Sequence, residues 1–202
     1  MHLEQPFESI ICIGTSTGGP RALQTVLSEL PQNFQAPVVI VQHMPPKFTK
    51  SLANRLDTIC EIHVKEAENG DILQKGTAYI APGGRHMILS SKRKSIQINI
   101  VDTEPVNGHR PSVDIMFQSA NQLKNYKKIA VIMTGMGSDG KLGITQLKKN
   151  GQTMVIAESR ESCIVYGMPK AAIETGLVDS VTKLEDIAKE MINLIEDVQK
   201  VR

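Results

Sequence analysis

The feature that most constrains this chain is a repeated pairing: short apolar runs rich in β-branched residues, each followed by turn residues and then by a segment of helical amphipathic spacing. That alternation predicts βαβ units, hence a doubly wound α/β fold with a mostly parallel sheet and helices on both faces. Ser9-Ile10-Ile11-Cys12-Ile13, Pro37-Val38-Val39-Ile40-Val41, Lys128 to Met133 and Thr153 to Ala157 read as strands. Arg21 to Leu30, Leu142 to Lys149, Pro169 to Glu174 and Leu184 to Val198 read as helices. Between Thr77 and Val101 the pattern changes, because two strand-like runs flank the polar stretch Ser90 to Ser95. An antiparallel β-hairpin joining the parallel sheet is expected there, its Lys92-Arg93-Lys94 cluster forming a solvated tip. No repeat, low-complexity tract or Pro- or Ser-rich linker interrupts the 202 residues, so one domain over 1–202 is expected.

Composition removes several functions. Aromatic residues are 3% of the chain and tryptophan is absent, which leaves few platforms for stacking single-stranded bases. Lys and Arg number 23 against 21 Asp and Glu, a net charge of +2 that gives no global footprint for nucleic acid. No apolar stretch approaches the roughly 20 residues that cross a bilayer, and the start, Met1 to Ser9, lacks the basic and apolar regions of a secretory signal. Three widely spaced cysteines, Cys12, Cys60 and Cys163, fit a reducing compartment, so a cytoplasmic location without membrane insertion is expected. No ligand set with structural-zinc spacing is present, and neither metal nor cofactor is expected.

Gly14-Thr15-Ser16-Thr17-Gly18-Gly19 fits the Gly-x-Ser-x-Gly pattern with an apolar strand before it and an amphipathic helix after it. In that context the glycines permit a sharp turn that presents the Ser16 hydroxyl, while the Thr17 amide at the helix start faces a place where negative charge could develop. The same turn could instead cradle a phosphate, although neither the dinucleotide nor the Walker spacing is satisfied.

A serine nucleophile needs a base, and the base needs an acid to orient it. Ligands and catalysis gather outside the carboxyl ends of parallel strands. Of five histidines only His43 directly ends a buried-type strand; His63 sits within one, His86 begins the hairpin and His109 lies in a polar loop. Among the aspartates Asp139, in the Gly-rich loop after Met133, occupies such an end, whereas Asp114 looks helical and Asp71 follows an Asn-Gly turn. Ser16, His43 and Asp139 are therefore the candidate triad. Taken singly, each has a structural alternative: a histidine bonding a carbonyl, or an aspartate capping the next helix.

These segments resemble the catalytic domain of the chemotaxis receptor methylesterases, the CheB family, along nearly the whole chain. The resemblance is carried by Ile13 to Gly19, Val41-Gln42-His43-Met44-Pro45-Pro46, Tyr79 to Gly84, Arg110-Pro111-Ser112-Val113-Asp114, Met133 to Gly140 and Ser162 to Pro169. It implies a serine hydrolase that demethylates glutamate γ-methyl esters on the cytoplasmic helices of methyl-accepting chemoreceptors, releasing methanol; some relatives also deamidate receptor glutamines. By motif it assigns Ser16 as nucleophile, His43 as base and Asp139 as orienting acid. It adds the Met136 amide as an oxyanion donor beside that of Thr17. Family members usually carry a receiver domain ahead of the esterase, whereas here only a few residues precede the first strand, so no receiver is expected. Arg110 is a candidate substrate-binding residue, for an acidic receptor surface or the product carboxylate, against its more ordinary role as a structural donor. Cys163 reads as a packed thiol. Two other functions stay open at this stage, a non-catalytic phosphate or nucleotide binder and an inactive receptor-binding module.

Overall fold

A computed structural model describes residues 7–92, 95–149 and 152–200. Arg93 and Lys94 of the basic cluster lie outside the described residues. The elements run β1 (Ser9–Thr15), α1 (Gly19–Leu27), β2 (Val38–Gln42), α2 (Phe48–Asp57), β3 (His63–Glu66), β4 (Thr77–Ile80), β5 (His86–Lys92), β6 (Ser95–Val101), α3 (Val113–Asn121), β7 (Lys127–Ile132), α4 (Lys141–Lys149), β8 (Thr153–Glu158), α5 (Met168–Ile173), β9 (Ser180–Thr182) and α6 (Leu184–Lys200).

Seven strands form one sheet in the order β3-β4-β2-β1-β7-β8-β9, with every neighbouring pair parallel. Its central strands are apolar on both sides because both sides are covered. Along β1, Ile11 and Ile13 enter a core with α1, α2 and α6, while Ile10 and Cys12 enter the opposite core with α3, α4 and α5. Ile10, Ile11 and Ile13 are wholly buried; each such side chain contributes about 1.5–3 kcal/mol relative to exposure. The doubly wound reading is thus correct, with strand and helix ends moved by a few residues: α1 starts at Gly19 and stops at Leu27.

The hairpin corrects one expectation. β5 and β6 pair antiparallel, but as a separate two-stranded sheet and not as an extension of the large one. Met87, Leu89, Ile96 and Ile98 point into the core beside α3, whereas Ser90, Gln97 and Asn99 alternate with them and are only partly buried. A ribbon with one apolar and one polar face suits a cover on the packed layer; within the parallel sheet both faces would be buried.

From β1 the chain moves outward through β2 to β4 and β3, then returns to add β7 on the other side of β1. The strand order therefore reverses beside β1, and a crevice at the carboxyl ends of β1 and β7 follows from that topology.

Candidate active site

Three loops meet at this reversal, and each carries one of the three residues expected from sequence. Ser16 follows β1, His43 follows β2, and Asp139 lies in the loop that leaves β7. The parallel register places Thr15 beside Gln42, so the next residues, Ser16 and His43, leave adjacent strands side by side. Two contacts tie them further: the His43 amide donates to the Thr15 carbonyl at 3.1 Å, and the Gln42 side-chain amide donates to the carbonyls of both Ser16 and His43 at 3.0 Å each.

His43 Nε2 and Asp139 Oδ2 are 2.7 Å apart, and the Asp139 side chain is fully buried. Asp139 is also held by the start of α3. The Ser112 hydroxyl and the Asp114 amide donate to Oδ1 at 2.9 and 3.0 Å, and the Val113 amide donates to Oδ2 at 2.7 Å. Burial by itself would push this carboxyl up, but the bonds from His43, Asp114 and Val113 and the charge of His43 hold it below the usual carboxylate range. Asp139 therefore caps α3, which precedes it in the sequence, and not the helix that follows it. Asp114 in the first turn of α3 returns the favour, accepting the amides of Gly140 and Gly143 at 3.0 and 2.7 Å around the start of α4.

With Nε2 committed to Asp139, Nδ1 is the other nitrogen of the His43 ring; it is buried and bonds to no described residue. The Ser16 hydroxyl makes no hydrogen bond to His43 or to any other described residue. The structure thus joins the Asp139 carboxylate directly to the His43 ring and sets Ser16 next to them through the backbone.

The serine turn is fastened from the opposite side by Thr134. Its carbonyl accepts the Ser16 amide at 3.0 Å and the Thr15 hydroxyl at 2.9 Å, and its own hydroxyl donates to the Thr17 carbonyl at 2.9 Å. The Thr134 amide donates in turn to the buried Glu158 carboxylate at 2.7 Å. Close approach of this loop needs Gly135, since a Cβ there would lie 2.8 Å from Ser16 Cβ and would also strike Met168 Sδ. Gly18, at φ 85°, takes the left-handed backbone that starts α1 without a side-chain cap. Neither the Thr17 nor the Met136 amide donates to another described residue.

Other residues singled out in the sequence stand as follows. Arg110 Nη1 donates to Asp102 Oδ1 and to the Thr103 carbonyl, each at 2.8 Å, so its guanidinium braces its own loop. Cys163 is half-buried, and burial with the neighbouring Glu158 pushes its thiol up to about 12, far from a thiolate. Sequence reasoning passed over the grip of α3 on Asp139 and also His109, whose ring stacks on His43 with centroids 3.9 Å apart and planes 4° from parallel. The only hint was the block Arg110 to Asp114, which follows His109 directly and contains the three residues that bind Asp139.

Comparison with known proteins agrees with this fold. Residues 11–191 match the family model described as CheB methylesterase. The chain is 54% identical over 191 residues to a Geobacillus kaustophilus protein named protein-glutamate methylesterase/protein-glutamine glutaminase, covering 95% of this chain and 55% of that protein. A Halalkalibacterium halodurans protein of the same name is 56% identical over 193 residues, covering 94% and 56%. The chain thus spans about half the length of the curated relatives it matches. The crystal structure of the Thermotoga maritima CheB methylesterase catalytic domain superposes with a TM-score of 0.90 at 46% identity, covering 93% of this chain and 99% of that one.

Proposed function

Because the chain belongs to the CheB methylesterase family, we propose that it hydrolyses glutamate γ-methyl esters on the cytoplasmic helices of chemoreceptors, with Ser16, His43 and Asp139 as its triad. The observation that carries this reading is the 2.7 Å pair of His43 and the buried Asp139 beside a serine turn at the reversal of the strand order. Two partnerless amides next to Ser16 support it further.

In this reading Nε2–H of neutral His43 donates to Asp139, and Nδ1 receives the Ser16 proton as Oγ attacks the ester carbonyl. The oxyanion forms toward the amides of Thr17 and Met136. His43 then passes the proton to the methoxy group, methanol leaves, and an acyl-serine remains. A water deprotonated by His43 attacks that ester, releasing the glutamate carboxylate and restoring the Ser16 hydroxyl. At an unmodified glutamine the same sequence expels ammonia, which accounts for the second activity in the relatives' name. Asp139, held ionised, stabilises the imidazolium formed in each half-reaction.

The rim suits a protein substrate. Met136 and Ile164 are 68% and 54% exposed, and Ile164 packs over Gly18 of the serine turn, giving a receptor helix an apolar surface beside the nucleophile. No helix among the described residues is long and apolar enough to cross a membrane; the enzyme is proposed to act from the cytoplasm on the receptor's cytoplasmic part.

The test is methanol release from methylated receptor membranes by the wild-type chain and by Ser16→Ala. The variant is expected to keep its melting temperature and lose turnover. Substantial turnover by the pure, folded variant would overturn the assignment, whereas failure of a serine-directed phosphonylating probe to label Ser16, together with saturable nucleotide binding, would favour a phosphate cradle.

A further inference from the structure

His43 is gripped at one edge by Asp139, but a ring bonded at one edge can still swing about that bond. The structure closes this freedom from a direction the triad does not supply. His109 lies flat on the His43 ring at 3.9 Å between centroids and 4° between planes.

The segment presenting His109 is braced at each of its ends. Val106 and His109 exchange backbone hydrogen bonds of 3.0 and 2.9 Å around Asn107 and Gly108, which sit at φ 51° and 77° in a tight two-residue turn. The Arg110 guanidinium is anchored on Asp102 and Thr103, and the Arg110 carbonyl accepts the Gly84 amide at 3.0 Å. Two residues on, the Ser112 amide donates to Nδ1 of the buried His86, whose Nε2 bonds the Glu104 carbonyl. Residues 109–114 therefore cover the face of the base and bind its acid within six consecutive positions.

We propose that His109 is a positioning residue for His43: stacked on the imidazole, it fixes the plane in which Nε2 meets Asp139 and Nδ1 is left toward the serine turn. The proposal rests on the reading of His43 as the base. It assigns the contact to the flat ring and not to a proton carried by His109. Burial and the charge of His43 hold His109 below the usual imidazole range, against an opposing pull from Asp139. Arg110, the nearest cation in sequence, is turned onto Asp102. His109 is thus kept neutral, so the stacked pair does not place two cations face to face.

The experiment measures methanol release from methylated receptor membranes by wild type, His109→Ala, His109→Gln and His109→Phe, with His43→Ala alongside. Loss of the stack is expected to lower kcat by about 10- to 100-fold in the alanine and glutamine variants, with KM within about twofold of wild type. His109→Phe, which restores a flat ring without a titratable group, should recover most of kcat. Equal activity of the phenylalanine and glutamine variants, or wild-type kcat in His109→Ala, would overturn the proposal. Should the alanine variant fail to fold, the phenylalanine and glutamine pair decides alone. Retained turnover in His43→Ala would instead sink the reading of the base, so the two failures are distinguishable.

Discussion

Replacing Asp139 with asparagine changes one oxygen into an NH2 group inside a site with no spare acceptor. Four donors converge on the carboxylate: the Ser112 hydroxyl and Asp114 amide on Oδ1, the Val113 amide and His43 on Oδ2. Whichever way the asparagine amide turns, its NH2 meets a buried backbone N–H, that of Val113 or that of Asp114. A buried donor left without an acceptor costs about 1–3 kcal/mol, and a lost bond to a charged group about 1.5–3 kcal/mol. Release of a buried charge offsets part of this, so Asp139→Asn is expected to lose about 2–4 kcal/mol at pH 7 in urea unfolding. A carboxyl held below its ordinary value adds stability that is present above about pH 4 and disappears as the pH falls through its folded value. The gap between wild type and variant should therefore narrow as the pH is lowered from 7 toward 3. Catalysis should suffer more. With NH2 toward His43, Nε2 must accept, and the ring proton moves to Nδ1, the nitrogen proposed to take the Ser16 proton. With the oxygen toward His43, the imidazolium loses its counter-charge. Either way kcat should fall at least about 100-fold, toward the roughly 10⁴-fold known for mis-set triad tautomers. A variant as stable as wild type at pH 7, a gap that persists unchanged into acid, or near-normal turnover would refute the reasoning.

Gly135→Ala would bring a methyl within 2.8 Å of Ser16 Cβ, so it should displace Ser16, the proposed nucleophile, and cut turnover by at least about 100-fold, while the cost in melting temperature stays modest; a fully active variant would show that the two loops need not touch. Burial pushes the Cys12, Cys60 and Cys163 thiols up to about 12, 11 and 12, so iodoacetamide at pH 8 should leave activity intact over an hour, and rapid inactivation with a label on Cys163 would count against that assignment.

What could be read in advance follows the range of the interactions involved. β1, β2 and β7 were visible because strands buried on both faces must be continuous apolar runs, as in Ile10 to Ile13 and Val38 to Val41. Ser16, His43 and Asp139 could be selected because each leaves such a run at its carboxyl end. The separate hairpin was not legible, since pairing with the sheet edge or packing on its face depends on where α3 lies. The partners of Asp139 were equally hidden: Ser112, Val113 and Asp114 stand 25 to 27 positions away, and no local pattern marks a helix start as a receptor for a distant carboxylate. His109 on His43 is a contact between two loops that no periodicity connects.

The crossed attachment of Asp139 to the beginning of α3 and of Asp114 to the beginning of α4 has a dynamic corollary. Neither helix can fray at its first turn without stranding the other's carboxylate, so both ends should breathe together. In hydrogen exchange the amides of Val113, Asp114, Gly140 and Gly143 are then expected to report one shared opening energy. Slackening of the acid away from its imidazole is accordingly a concerted event spanning two helices, and it will be rare.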